Sequence, residues 1–274
     1  MRLTTKIISG ITLIVFIAPL IFMIIPLFSD SAKAERTKFA NKINLPQDNK
    51  TGIELTSFKT IVIEDVSSDT QGRNYSLQEN CNIYFEPLSG NNNPDMLFLP
   101  EAIKNFVSVN NSGDTLTIKL NIHELYEKND DKRYCYHDFS GVNLYFNTQK
   151  IDVINTIGAL TLIIRNIETD SIKVTSHGNI NIDSCKVLYI DPQIKSQNRN
   201  LNITNCEADK VNIDYDNISN WSTNNSKINE INISASRECD IYMNDPNIIK
   251  WIPKSDDAKL NIGLKGENKK ITIQ

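Results

Sequence analysis

Residues 178–185 read GNINIDSC, and residues 199–206 read RNLNITNC. Asn179, Asn181, Ile182 and Cys185 recur as Asn200, Asn202, Ile203 and Cys206, each 21 residues further along. Within each stretch aliphatic and polar residues alternate, which sets the aliphatics on one face of a strand and the asparagines on the other. From about Ile157 to the end, the tripeptide aliphatic-Asn-Ile occurs five times, at 180–182, 201–203, 211–213, 231–233 and 260–262.

Working outward, strand centres fall near 161, 181, 202, 221, 242 and 261, with a second series near 173, 189, 212, 232, 250 and 272. Both series advance by about 20 residues, and two interleaved ladders with one period predict a coil of repeated turns. The expected fold is therefore all-β, a parallel β-helix-like β-solenoid with rungs of about 20 residues. An antiparallel β-sandwich is the alternative, since it also has short strands every 8–12 residues. It does not require the same residues to return one period later.

Upstream, strands are expected at Phe58–Val66, Cys81–Phe85, Phe106–Val109, Leu116–Ile122 and Val142–Phe146. Leu88–Asp95 (LSGNNNPD) reads as a loop, Ser112–Asp114 as a hairpin turn, and Pro100–Phe106 as a short helix opened by proline. The organisation that follows is 1–35 as a membrane anchor or signal segment, 36–52 as a polar tether, 53–156 as a first β region and 157–274 as the repeats.

The N-terminal segment holds Ile7–Phe28, 22 residues without a charge. At about 1.5 Å per residue a helix of that length crosses a hydrocarbon layer of roughly 30 Å. A cleaved signal peptide is the competing reading, because Ala32-Lys33-Ala34 resembles a cleavage site, but its apolar core is normally about 7–15 residues. The length favours a single-pass transmembrane helix that anchors the chain. A short basic N-terminus ahead of a long apolar run is an export signal, so the C-terminal part is expected outside the cytoplasm; secretion after cleavage is the alternative.

Charge narrows the partners. Thirty-three acidic and 29 basic residues leave a formal charge of -4, with no basic stripe, so no nucleic-acid partner is expected. Of the five cysteines, Cys185 and Cys206 are the candidate disulfide, because equivalent positions on neighbouring rungs lie about 4.8 Å apart. The same two residues also suit a stack of small core side chains, with Ile167 in the equivalent place one rung earlier. His123 and Glu127 stop short of a zinc motif, and Cys135 with His137 share one strand face but lack a third partner. Asp183, Asp191, Asp214, Asp216, Asp240 and Asp245 stand near strand ends, where single aspartates usually cap backbone. No catalytic, cofactor-binding or metal site is predicted.

FKTIVIEDV (58–66), GDTLTIKL (113–120) and SHGNINID (176–183) resemble the adhesin-head family of Bacteroidetes-type envelope proteins, described as head GIN domains. That family tends to place glycine in its rungs where this chain places asparagine. The resemblance implies a β-solenoid behind a membrane or secretion segment, with a surface or adhesion role and no catalytic residues. The expected function is thus a membrane-anchored, non-catalytic binding, adhesion or envelope-structural module. Its partner would be an envelope protein or a polysaccharide. A polysaccharide-active β-helix enzyme and a polymer-forming scaffold are the alternatives.

Overall fold

The computed structural model describes residues 50–65, 81–87, 94–121, 142–148, 151–158, 160–244 and 248–265. They belong to one compact unit, Asn44–Asp130 with Phe139–Gln274. Among the described residues no helix is long and apolar enough to cross a membrane. The predicted span Ile7–Phe28 lies outside them.

What is described is all-β. The first strands are β1 (Lys50–Glu54), β2 (Thr60–Asp65), β3 (Cys81–Phe85), β4 (Met96–Pro100), β5 (Val107–Ser112), β6 (Thr115–Leu120), β7 (Val142–Asn147) and β8 (Val153–Ile157). There follow β9 (Thr161–Arg165), β10 (Glu168–Ser176), β11 (Ile180–Asp183), β12 (Lys186–Ile194), β13 (Arg199–Thr204) and β14 (Glu207–Asp214). The last are β15 (Ile218–Ser222), β16 (Lys227–Ala235), β17 (Cys239–Asn244), β18 (Ile248–Pro253) and β19 (Leu260–Lys265). The helix expected at Pro100–Phe106 is a tighter 3-10 turn over Glu101–Phe106, with Ile103 and Phe106 buried. β1 takes Lys50–Gly52 from the stretch read as tether.

One sheet runs β1-β4-β7-β3-β9-β11-β13-β15, a second runs β18-β16-β14-β12-β10-β8-β2-β6-β5, and β17 pairs with β19. Both large sheets are mixed. They are antiparallel at β1–β4, β4–β7 and β5–β6, and parallel through the rest. From β8 to β16 the chain alternates between the two sheets, so each parallel connection is itself a strand of the opposite sheet.

The opening repeat is paired directly, with Ile180 opposite Leu201, Asn181 opposite Asn202 and Ile182 opposite Ile203. The inward aliphatics Ile180, Ile182, Leu201 and Ile203 have no solvent exposure. Strands from before and after residue 157 share both sheets, because β3 pairs with β9 and β8 with β10. In-register pairing also stacks aromatics: Tyr84 on Tyr145 at 4.5 Å and Phe85 on Phe146 at 4.7 Å between ring centres.

A recurring corner explains why the repeat ends in Ser-Cys or Asn-Cys. Asn166, Ser184, Asn205 and Asn225 all have φ between 54° and 56°, a left-handed conformation that asparagine tolerates better than most residues. Next in the chain come the inward residues Ile167, Cys185, Cys206 and Ser226, and then Glu168, Lys186, Glu207 and Lys227, which open strands of the second sheet. Backbone bonds knit successive corners together, Lys186 N–H to Ile167 carbonyl at 2.9 Å, Glu207 to Cys185 at 2.9 Å and Lys227 to Cys206 at 2.8 Å. Asn205 also donates from Nδ2 to Asp183 Oδ1 at 2.8 Å. Asn205→Gly should lose that bond but keep the corner, whereas Asn205→Ala should lose both. The alanine variant is expected to be less stable than the glycine variant by about 1 kcal/mol in urea unfolding.

Outward residues pair along the stack as well. Asn202 donates to Asn181 at 2.7 Å, Asn82 to Asn143 at 3.1 Å and Asn220 to Asn200 at 3.1 Å. Asp183 sits in this layer. The Asn205 amide holds its carboxyl below the ordinary value of 3.8, partly opposed by burial and reinforced by the Thr204 hydroxyl and Arg165. A depressed folded pKa contributes stability above the unfolded value, and that contribution is lost as pH falls through the folded value. Asp183→Asn should therefore flatten the loss of thermal stability below about pH 4, measured by melting at neutral pH and at pH values below that point.

Candidate binding surface

Four consecutive strands of the second sheet bend at one place. Pairing runs through Thr169, Val187, Ala208 and Ile228, resumes at Ser171, Tyr189, Lys210 and Glu230, and skips Asp170, Leu188, Asp209 and Asn229 between. Each skipped residue is exposed, and the one after it is half-buried on the same outer side, so the alternation breaks as at a bulge. Stacking four such bends produces a trough of about 590 Å³. Val187, Ala208 and Thr169 form its floor, the skipped residues one wall, and Glu168, Lys186, Glu207 and Lys227 the other.

The second wall alternates in charge, and Lys227 Nζ lies 3.5 Å from Glu207 Oε1. In the first wall Asn229 donates to Asp209 Oδ1 at 2.9 Å. Leu188 is 55% exposed, the most exposed large hydrophobic residue described. Periodicity alone did not reveal this surface. The visible clue was two polar residues in succession in three of the four strands, at Asp170-Ser171, Asp209-Lys210 and Asn229-Glu230, with Leu188-Tyr189 in the fourth.

The residues singled out from the sequence lie elsewhere. Cys185 and Cys206 occupy neighbouring corners as buried free thiols, as do Cys81 and Cys239 elsewhere in the core. Cys185 donates to Asp183 carbonyl at 3.3 Å and Cys206 to Thr204 carbonyl at 3.1 Å. A hydrogen bond with Cys185, then burial, raises the Cys206 pKa. Burial likewise pushes Cys239 up to about 11 and Cys81 higher still. Cys206, Cys239 and Cys81 therefore stay protonated and are poor nucleophiles, whereas the hydrogen bond with Cys206 draws the Cys185 pKa down. Cys135, His123, Glu127, His137 and Asp245 lie outside the described residues. His177 Nδ1 is 3.0 Å from Thr156 carbonyl, a backbone contact.

Two of the aspartates do converge on a base. Lys254 Nζ lies 2.5 Å from Asp214 Oδ1 and 3.0 Å from Asp216 Oδ2. Both carboxylates also serve backbone: Asp214 accepts from Asp216 N–H at 3.4 Å, and Asp216 from Ser236 N–H at 2.6 Å. Burial pushes the Asp216 pKa up, but the Ser236 amide and Lys254 outweigh it and hold the carboxyl below 3.8. A glycoside-cleaving acid needs the opposite shift. Asp183 and Asp240 each bind an asparagine amide of a neighbouring turn, and Asp191 binds Gln193. Among the described residues no three His, Cys, Asp or Glu side chains are placed to hold a metal ion.

No family model matches the chain, and no curated protein matches it. Among solved structures it is similar to a "putative adhesin" from Bacteroides fragilis NCTC 9343, at 14% identity and TM-score 0.46, over 84% of this chain and 98% of that one. A second "putative adhesin", from Parabacteroides distasonis ATCC 8503, gives 12% identity and TM-score 0.48 over 82% and 94%. A "putative lipid binding protein" from the same organism gives 12% and 0.39 over 83% and 98%. These likenesses lend no residue or role to this chain.

Proposed function

We propose that this chain is an extracytoplasmic β-solenoid, anchored by a transmembrane helix at Ile7–Phe28, that binds an envelope protein or polysaccharide without catalysis. The observation that carries the binding role is the trough, since the same bend repeated in β10, β12, β14 and β16 makes a linear seat several strands long. An elongated ligand lies along such a stack and meets one set of side chains per strand. The parallel alternation of β8 to β16 between two sheets supports the solenoid reading, and the export-type N-terminus supports the location. The Asp214–Asp216–Lys254 cluster speaks against the enzyme alternative, because its carboxylates are committed to backbone and to one lysine.

The test has two arms. Full-length protein expressed in cells with an intact export system should stay in membranes and be clipped by external protease within residues 29–52. Purified full-length protein in detergent should be retained by isolated envelope material and release no reducing sugar ends from it. Protection from external protease would refute the location, and release of reducing ends would refute the non-catalytic reading.

A further inference from the structure

The trough has a chemical bias that narrows its ligand. Its carboxylates are Glu168, Asp170, Glu207 and Asp209, and its ammonium groups are Lys186 and Lys227, a balance of four against two and a local charge of -2. Lys227 is already turned to Glu207 at 3.5 Å. The carboxylates of Asp170 and Glu168 have no hydrogen-bonding or ionic partner among the described residues. Between Asp170 and Asp209 stands Leu188, over half exposed, with Val187 and Ala208 beneath.

Resting on the reading of the chain as a binding module, we infer that this trough seats an extended peptide segment carrying lysine or arginine. Their alkyl stems lie on Leu188 and their cationic heads meet Asp170 and Asp209. Charge complementarity selects a cation. The apolar residue between two carboxylates selects a cation on an aliphatic stem, which lysine and arginine have and an aminosugar lacks. Four strands at about 4.8 Å spacing make a seat roughly 14 Å long, the length of about four extended residues. Among the described residues no aromatic ring lines the trough to stack on a neutral sugar, and its carboxylates repel polyanions.

The experiment uses full-length protein in detergent and a dye-labelled, end-blocked hexalysine, read by fluorescence anisotropy at low salt. Asp170→Asn/Asp209→Asn should weaken binding about tenfold, the effect of removing contacts to a charged ligand. Leu188→Ser should weaken it several-fold without changing the salt dependence. Glu54→Gln/Glu101→Gln removes the same charge at two exposed sites away from the trough and should leave binding within about twofold. Equal losses in the two double variants would reduce the effect to net charge and overturn the inference. So would absence of hexalysine binding. If an uncharged oligosaccharide or a chitosan oligomer bound while hexalysine did not, the peptide inference would fall and the binding-module reading would stand. If nothing bound and envelope capture also failed, both would fall.

Discussion

Gly178→Ala should be among the most damaging single substitutions in this chain, costing about 4 kcal/mol or abolishing folding. A methyl group built at Gly178 would sit 1.9 Å from the Leu160 carbonyl oxygen and 2.6 Å from its carbonyl carbon. Both are backbone atoms, so no side chain can swing aside to make room. Leu160 leads directly into β9, and the adjoining Asn179 carbonyl accepts the Leu162 amide at 2.9 Å. Relief would therefore break the pairing of β9 with β11. Gly113→Ala is the control. It lies in the β5–β6 turn at φ 63° with nothing within 4 Å of the added carbon, so its cost is conformational only, about 1 kcal/mol. Thermal melts of the two variants side by side would decide. Similar, small losses in both would mean that the approach of Gly178 to Leu160 is not tight in solution.

The second large effect is expected at Phe85→Ala, about 3–5 kcal/mol in chemical denaturation. The ring has no solvent exposure, stacks on Phe146, and belongs to β3, which joins β7 on one side to β9 on the other. Since β3 precedes the repeats in sequence but adjoins them in space, the loss should appear as one cooperative transition shifted as a whole. Two separated transitions, only the earlier one shifted, would show that the strands before residue 157 fold apart from the repeats. The pair with Phe146→Ala should couple by about 1 kcal/mol beyond additivity.

Much of the strand content was legible before any coordinates. Cys81–Phe85 was read at its observed bounds, and Val142–Phe146 fell one residue short, because an aliphatic or aromatic residue at every second position has few ways to bury itself other than as a strand. β1 and β4 were missed. KTGIE carries glycine and two charges, and MLFLP has neither alternation nor a recurring partner, so only their antiparallel pairing to each other and to β7 makes them strands. The corner also escaped a reading of types alone. Asn166, Ser184, Asn205 and Asn225 look like ordinary polar turn residues, and their shared left-handed backbone is visible only once neighbouring corners are stacked.

The candidate site was less legible than the fold. Cysteines, histidines and aspartates drew notice because their chemistry is distinctive, but none of those singled out lines the trough: Cys185 and Cys206 are buried and donate to carbonyls, and Asp214 and Asp216 cap backbone, as single aspartates were expected to, and also pair with Lys254. The trough draws on Asp170, Leu188, Asp209 and Asn229, three kinds of side chain at one skipped position. No composition rule unites them.

The sequence by itself determined that this chain is built from short strands with one aliphatic face, recurring at a near-constant period. Burial of a period-2 aliphatic pattern is a local requirement, satisfied by almost any arrangement that covers that face. The tertiary structure alone decided which strands are neighbours, where glycine is obligatory and where the outer surface turns concave. Those properties depend on atoms about 20 residues apart in sequence and one strand spacing apart in space, such as the Leu160 carbonyl over Gly178.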